Sequence, residues 1–267
     1  MVKNVMKKNF LKKIALVGAM VLAIGLCACG KKEDDNKFVV GFDANFPPYG
    51  YMDDKGEYVG FDLDLAAEVC KRNDWRLVKQ PINWDSKDFE LESGNIDCIW
   101  NGFTMSEDRL DKYAWSEPYV DNSQVMVVAK DSGITTLADL AGKTVDVQAA
   151  SSALEALNGD AKDLAATFGK LEEVPDYNQA FMNLEAGAVD AVAMDIGVAK
   201  YQVEQRGDKF IILDEAFVTE QYGIGFFKDN TKLRDKVQKT LNEMAEDGTV
   251  AKIAEEWGLS DSIIIGK

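Results

Sequence analysis

Apolar residues along this chain follow two alternating patterns, one typical of buried strands and one typical of helices. Short β-rich apolar runs are followed by segments in which apolar residues recur every three to four positions. The pattern predicts strands at 38–42, 76–79, 96–100, 124–129, 144–148, 170–174, 189–194, 209–213 and 222–227. It predicts helices at 62–73, 86–91, 152–168, 177–186, 196–206, 231–246 and 249–257, and a hairpin over 50–59.

Two segments of the chain share one local design. Residues 92–98 and 185–191 each read as the end of a helix, a glycine, a tight turn and a buried strand. Gly94 and Gly187 are the predicted helix C-cap glycines. This repeated pattern indicates that the chain has two halves of similar construction. Strand–helix alternation with apolar strands predicts an α/β fold with a mostly parallel sheet in each half.

The N-terminus has the pattern of a secretory signal. Lys3, Lys7, Lys8, Lys12 and Lys13 precede an apolar run over 14–26, which is shorter than the ~20 residues that a spanning helix needs. The residues before Cys29 resemble a bacterial lipobox, which predicts a signal peptide at 1–28 and a lipid on Cys29.

Two alternatives exist at this N-terminus. Cys27 is the weaker lipidation candidate because bulky Leu26 precedes it, and an ordinary cleaved signal would leave the cysteines incidental. The charged stretch 29–37 is expected to be a flexible, lipid-anchored spacer.

Charge excludes one class of partner. Without residues 1–28 the chain keeps 25 of its 30 basic residues and all 46 acidic ones, a formal charge of −21. Such a chain repels phosphate backbones, so nucleic acid is not expected as a partner. About 239 residues then remain, enough for one large domain or two ordinary ones.

Histidine is absent from the chain, which removes the commonest general base and the commonest metal ligand. Beyond Cys29 the cysteines are Cys70 and Cys98, both within apolar patterns. They are interpreted as two buried thiols in preference to a disulfide. No metal and no cofactor are expected.

The segment 100–109 carries the densest group of candidate binding residues. It leaves a predicted strand at its carboxyl end, where α/β sheets bind ligands. Arg109 falls in the first turn of a short helix with Ser106 as the candidate N-cap, and a cation there opposes the helix dipole. A bound carboxylate would resolve this by forming a bidentate pair. The alternative is a surface arginine paired with Glu107 or Asp108.

At this point the chain resembles the polar amino-acid solute-binding proteins of ABC importers, family 3 of the bacterial extracellular solute-binding proteins. The resemblance rests on motifs in the family's order along almost the whole chain after residue 37. These motifs lie at 43–49, 60–66, 94–97, 101–109, 115–119, 140–145, 187–191, 194–195 and 247–249.

The resemblance implies a two-lobe periplasmic-binding-protein fold that closes on its ligand like a Venus flytrap. Each lobe would hold a mostly parallel sheet flanked by helices, with two hinge strands near 128–132 and 218–222. The implied lobes are 38–129 with 222–267 and 130–221.

The same resemblance implies the residues that bind an α-amino acid. Arg109, Thr104, Ser151 and Ser152 would bind the carboxylate, the serines through backbone N–H groups at the start of a helix. Asp195, with the Gly102 carbonyl and the Thr104 hydroxyl, would hold the ammonium group. The alternative role for Asp195 is an ordinary helix N-cap.

Recognition of the ligand side chain is assigned by resemblance to a separate group of residues. These are Asp43, Phe46, Trp84, Asn101 and Phe103, of which Phe46 and Phe103 would sandwich the side chain. Phe46 and Trp84 could instead simply pack under the loop. The sequence departs from the family at Ala149 and Ala150, where a glycine is usual, and at Gly102, where a serine is common. These departures affect fine specificity.

The function implied is a monomeric, non-enzymatic binding component, lipid-anchored on the outer face of the cell membrane. It would carry a polar, cationic or cystine-like amino acid to a membrane permease. Two alternatives are a dehydratase on the same fold, which without histidine would need a carboxyl as its general acid, and a ligand-sensing subunit for a membrane receptor.

Overall fold

The computed structural model describes residues 36–266. The predicted signal peptide, the lipobox cysteine Cys29 and nearly all of the predicted spacer lie outside these residues. None of the helices within 36–266 has both the length and the apolar character needed to cross a membrane.

Residues 36–266 form 13 strands and nine α-helices. The strands are β1 Lys37–Phe42, β2 Asn45–Phe46, β3 Gly50–Met52, β4 Tyr58–Val59, β5 Arg76–Pro81, β6 Cys98–Thr104, β7 Tyr113–Trp115, β8 Val120–Ala129, β9 Thr144–Gln148, β10 Lys170–Val174, β11 Ala191–Asp195, β12 Phe210–Ile212 and β13 Val218–Phe227. The helices are α1 Phe61–Arg72, α2 Lys87–Glu92, α3 Glu107–Leu110, α4 Ser152–Asn158, α5 Lys162–Ala165, α6 Tyr177–Glu185, α7 Ile196–Arg206, α8 Thr231–Glu246 and α9 Thr249–Glu256.

Ten of the strands form one sheet whose two ends are parallel, and β2, β3 and β4 form a separate small sheet. The order of the larger sheet is β10-β9-β11-β8-β13-β6-β1-β5, with β12 added to β8 and β7 added to β13. The pairs of β1 with β5 and β6 are parallel, as are those of β9 with β10 and β11. The predicted α/β fold with two mostly parallel halves is confirmed, and the halves are joined by the antiparallel pair β8–β13.

The two central strands each belong to both halves. Residues 120–124 of β8 pair with residues 218–222 of β13, whereas residues 124–128 of β8 pair with β11. The far end of β13 pairs with β6 and β7. This pairing favours a crossing between halves at 120–124 and 218–222. The second range matches the predicted hinge, but the first lies earlier than the predicted 128–132. The lobe boundaries themselves stay a prediction.

Helix α1 shows how the sequence sets one element. Asp62 and Asp64 lie in its first turn and Lys71 and Arg72 in its last, the arrangement that the helix dipole favours. Its apolar side chains are buried against the first half of the sheet. Trp75 follows it and stacks on Phe38 of β1 with ring centroids 5.3 Å apart.

Some predicted boundaries are wrong. The helix predicted over 152–168 is broken, because Gly159 has φ −116° and ψ −104° and ends α4. A glycine can leave the helical region at little steric cost. The apolar periodicity continues past Gly159, so the predicted helix was too long. The strand predicted from Gln124 begins at Val120, and the strand predicted from Tyr222 begins at Val218. Both strands begin with mainly polar residues, so the apolar pattern did not identify their first residues as strand.

Other local predictions are confirmed. Gly94 and Gly187 have φ of +73° and +70° at the ends of α2 and α6, the left-handed conformation expected of C-cap glycines. The hairpin over 50–59 forms as β3 and β4. Cys70 and Cys98 are free and buried.

Candidate functional site

The candidate site lies where the two halves of the sheet meet. The carboxyl end of β6 supplies Gly102 and Thr104, and the start of α4 supplies Ser152. Asp195 lies at the carboxyl end of β11, and the crossing strands add Gln124. The hydroxyl oxygens of Thr104 and Ser152 lie 3.1 Å apart, and Gln124 Nε2 lies 3.1 Å from the Ser152 hydroxyl oxygen and donates to Asp195 at 2.7 Å. The structure therefore joins residues from both halves in one polar network.

Arg109 is buried, with 3% of its side chain exposed. Its Nε and Nη2 donate to Glu155 Oε1 at 2.9 and 2.7 Å. Ser106 donates to the other Glu155 oxygen at 2.9 Å instead of capping α3. The guanidinium lies 5.0 Å from the Phe103 ring centroid. The alternative pairing with Glu107 or Asp108 is wrong, because the partner comes from the opposite half of the molecule.

The loop before α4 adopts the conformation that its sequence disfavours. Ala150 has φ +56°, where alanine is strained by roughly 1–2 kcal/mol. Its carbonyl accepts from Arg109 Nη2 at 3.2 Å and from Lys87 Nζ at 3.3 Å. Alanine therefore adopts a left-handed conformation here, and two cations contact the carbonyl of this loop.

The two serines of this loop have different partners. The Ser151 hydroxyl caps α4 by accepting from the Leu154 N–H at 3.1 Å, and the Ser151 N–H donates to the Gln148 carbonyl at 3.3 Å. Ser151 therefore serves the local fold, whereas the Ser152 hydroxyl faces the polar network.

Asp195 stands at the N-cap position of α7 but does not cap it. Asn122, Gln124 and Tyr222 donate to its Oδ1 at 2.7, 2.7 and 2.6 Å, and Tyr177 donates to Oδ2 at 3.3 Å. Burial, and then the nearby Glu220 carboxylate, raise the pKa of Asp195 to about 7. The N-cap alternative is not supported, and the Asp195 carboxyl group is surrounded by neutral donors.

Gly102 is fixed by its backbone. It has φ +56°, and its N–H donates to Asp62 Oδ2 at 2.6 Å. A Cβ at this position would lie 2.7 Å from Phe46 Cε1 and 3.0 Å from Tyr222 Cε2. In this chain a side chain at position 102 would therefore be strained in conformation and crowded against Phe46 and Tyr222.

The predicted side-chain residues separate into two groups. Asp43 and Trp84 line a cleft of about 590 Å³, together with Asn45, Asp85 and Asp176. Asp43 accepts from Gln148 at 2.7 Å, and burial raises its pKa to about 6.

Asn101, Phe46 and Phe103 are buried and do not line this cleft. Asn101 accepts from the Asp43 N–H at 3.0 Å, which makes it a support for Asp43. Phe103 packs with Trp84, Tyr113 and Trp115, whereas Phe46 packs in a different cluster against Tyr49 and Tyr177. The structure does not bring the Phe46 and Phe103 rings together.

Sequence reasoning missed Glu155, Glu220, Asn122 and Gln124. Asn122 and Gln124 alternate along β8, so a longer predicted strand would have placed both on one face. Glu155 lies one helical turn after Ser151 and Ser152. Glu220 carries no local signal that separates it from other acidic residues.

Comparisons with known proteins show which sequences and structures this chain resembles. The sequence model of the bacterial extracellular solute-binding proteins, family 3, matches residues 38–260. The chain is 28% identical to the L-cystine-binding protein TcyJ of Escherichia coli over 94% of this chain and 97% of that protein.

Two solved structures show the same likeness. The structure of an ABC uptake transporter substrate-binding protein from Streptococcus pneumoniae with bound histidine superposes with a TM-score of 0.83 at 32% identity, covering 86% of this chain and 95% of that one. That of the ancestral amino acid-binding protein AncCDT-1, a precursor of cyclohexadienyl dehydratase, gives 0.76 at 29% identity, covering 84% and 96%.

Proposed function

Because the chain belongs to family 3 of the bacterial extracellular solute-binding proteins, we propose that it binds an α-amino acid outside the cytoplasmic membrane and delivers it to an ABC permease. The observation that carries the proposal is the polar network that joins Arg109, Thr104, Ser152 and Asp195 across the two halves. It places a cation and an anion within one connected site. These are the two charges that a zwitterionic α-amino acid requires.

The carboxylate end of the ligand is assigned to Arg109. The forked Nε–Nη2 edge of this residue suits a carboxylate, and at present it binds that of Glu155. The ligand carboxylate would take the place of Glu155, with the Thr104 and Ser152 hydroxyls as further donors. Asp195 would bind the ligand ammonium group.

The ligand side chain is assigned to the cleft lined by Asp43 and Trp84. Four carboxylate residues, Asp43, Asp85, Glu90 and Asp176, line this cleft together with one tryptophan, Trp84. This chemistry supports a polar or cationic side chain, or the second half of cystine. Histidine- and cystine-binding relatives are consistent with that class.

Ligand binding would be coupled to closure of the two lobes about 120–124 and 218–222. Contacts across the halves, such as Asn178 to Asn45 at 2.8 Å and Tyr201 to Tyr51 at 3.2 Å, support a closed arrangement. The permease would then recognise the closed form. We propose further that the protein is a monomer, that it is not an enzyme, and that Cys29 anchors it to the membrane.

Calorimetry of the purified protein against the twenty amino acids and cystine tests the proposal. We expect saturable binding of at least one of these amino acids. The substitution Arg109→Ala should weaken that binding at least tenfold, about 1.4 kcal/mol. Absence of binding to all of them would refute amino-acid binding. Prephenate and arogenate belong in the same screen, because turnover of either would establish the dehydratase alternative.

A further inference from the structure

Glu220 is a carboxylate of the candidate site that has no assigned role. One of its oxygens, Oε1, accepts four hydrogen bonds. The donors are the Thr104 hydroxyl at 2.6 Å, the Asn122 amide at 2.7 Å, the Gln124 amide at 2.8 Å and the Ser152 hydroxyl at 3.1 Å. Glu220 thus occupies the point on which the site's polar groups converge.

The same two amides also bind Asp195. Asn122 Nδ2 and Gln124 Nε2 each donate to Asp195 Oδ1 at 2.7 Å and to Glu220 Oε1 at 2.7 and 2.8 Å. Each amide nitrogen carries two N–H groups, so each serves both carboxylates. The two carboxyl groups are therefore held side by side by a shared pair of donors.

The nearby cationic side chains are engaged elsewhere. Arg109 is paired with Glu155, and Lys87 donates to the carbonyls of Trp84 and Ala150. Neutral donors thus surround the pair of Asp195 and Glu220, and like charges at this spacing repel in a buried site. A cation from outside the chain would relieve that repulsion.

Space for such a cation lies on the Glu220 side of the pair. A cavity of about 390 Å³ is lined by Thr104, Ser152, Glu155 and Glu220, among others, whereas Asp195 is buried and does not line it. An ammonium group has three N–H donors arranged around one nitrogen. Carboxylates of Asp195 and Glu220 with the Thr104 hydroxyl supply three acceptors from three different strands.

We propose that Glu220 is a second anionic acceptor for the ligand's ammonium group, which binds between Glu220 and Asp195. This inference rests on the proposed function and deepens it by naming a specificity-determining residue. Because two carboxylates would bind one ammonium group, the free amine of the ligand should contribute strongly to its affinity. A ligand that keeps the carboxylate and side chain but lacks the amine should bind poorly.

The test compares amino acids with their des-amino analogues. The probes are L-arginine with 5-guanidinopentanoate, L-histidine with 3-(imidazol-4-yl)propanoate, and L-cystine with 3,3′-dithiodipropionate. Affinities for the wild type and for Glu220→Gln are measured by calorimetry, with competition for weak ligands. Glu173→Gln, an exposed position on β10, is the control that removes the same charge.

We expect Glu220→Gln to weaken binding of the amino acid at least tenfold and that of its des-amino analogue less than twofold. Glu173→Gln should change neither. Unchanged or tighter amino-acid binding, or an equal loss for both ligands of a pair, would overturn the role of Glu220.

The outcomes separate this inference from the proposed function. If the wild type binds none of the amino acids in the full screen, both fail; if it binds one and Glu220→Gln shows no selective loss, only this inference fails. Thermal unfolding checks that the variant folds. Should Glu220→Gln not fold, Glu220→Asp keeps the charge on a shorter side chain, and it should weaken the amino acid more than its des-amino analogue. An equal effect on both would again overturn the inference.

Discussion

Arg109 and Glu155 form a pair across the two halves of the molecule, in which two guanidinium nitrogens donate to a single carboxylate oxygen at 2.9 and 2.7 Å. Arg109 is 3% exposed and Glu155 is 32% exposed. A carboxylate of the protein therefore occupies the edge of Arg109 that a ligand carboxylate would use. Ligand binding and this internal pair compete for the same donors.

Removing the charge of Glu155 should change ligand affinity and the stability of the ligand-free protein in opposite directions. We expect Glu155→Gln to bind the amino acid severalfold more tightly, because the ligand no longer displaces an ionised competitor. The ligand-free protein should lose about 1–3 kcal/mol of unfolding free energy, less than for a fully buried pair because Glu155 is partly exposed. Calorimetry and chemical denaturation measure the two, with Glu173→Gln as the control. Weaker ligand binding in Glu155→Gln would contradict the competition.

The buried carboxylates predict how stability depends on pH. Burial raises the pKa of Asp62 and Asp195 to about 7 and that of Asp43 to about 6, from 3.8. The folded protein then keeps protons that the unfolded chain has released. The resulting stability is complete below about pH 4 and is lost as the pH rises through 6 to 7. The ligand-free protein should unfold at a lower temperature at pH 8 than at pH 5.

Bound ligand should oppose the loss of stability at high pH that Asp195 causes. An ammonium group pairs with the ionised carboxylate, so the increase in Tm caused by ligand should be larger at pH 8 than at pH 5. Scanning fluorimetry at both pH values measures this, and Asp195→Asn should reduce the difference. A ligand-free Tm that rises from pH 5 to pH 8 would show that other groups dominate.

A side chain at position 102 should destabilise the folded protein. Gly102→Ala combines a φ of +56° with a Cβ 2.7 Å from Phe46 Cε1, and we expect it to lower the unfolding free energy by about 2–4 kcal/mol. Gly56 has φ +81° but nothing within 4 Å of its Cβ position. Gly56→Ala should therefore cost only about 1 kcal/mol. Chemical denaturation of both variants measures the difference, and equal costs would show that crowding at Gly102 is relieved by movement.

The predicted lipid anchor is testable outside the described residues. Cys29→Ala should abolish incorporation of labelled fatty acid and release the protein from the membrane fraction. Cys27→Ala should retain both, because only Cys29 has the lipobox residues before it. Labelling that persists in Cys29→Ala and disappears in Cys27→Ala would move the anchor to Cys27.

The sequence by itself determined the repeating strand–helix order and the position of the site at strand ends. Helical and strand periodicity are local, so α1 and the parallel strands could be predicted from neighbouring residues. Motifs brought Arg109, Thr104 and Asp195 into the candidate site, and all three lie in its polar network.

Only the tertiary structure decided what these residues contact. Glu155 lies 46 positions from Arg109, and Glu220 lies 116 positions from Thr104. No local pattern encodes such pairings, because they depend on how β8 and β13 cross between the halves. The same crossing places Glu220 beside Asp195. Long-range strand pairing therefore determines the electrostatics of this site, whereas local periodicity determines the elements that carry it.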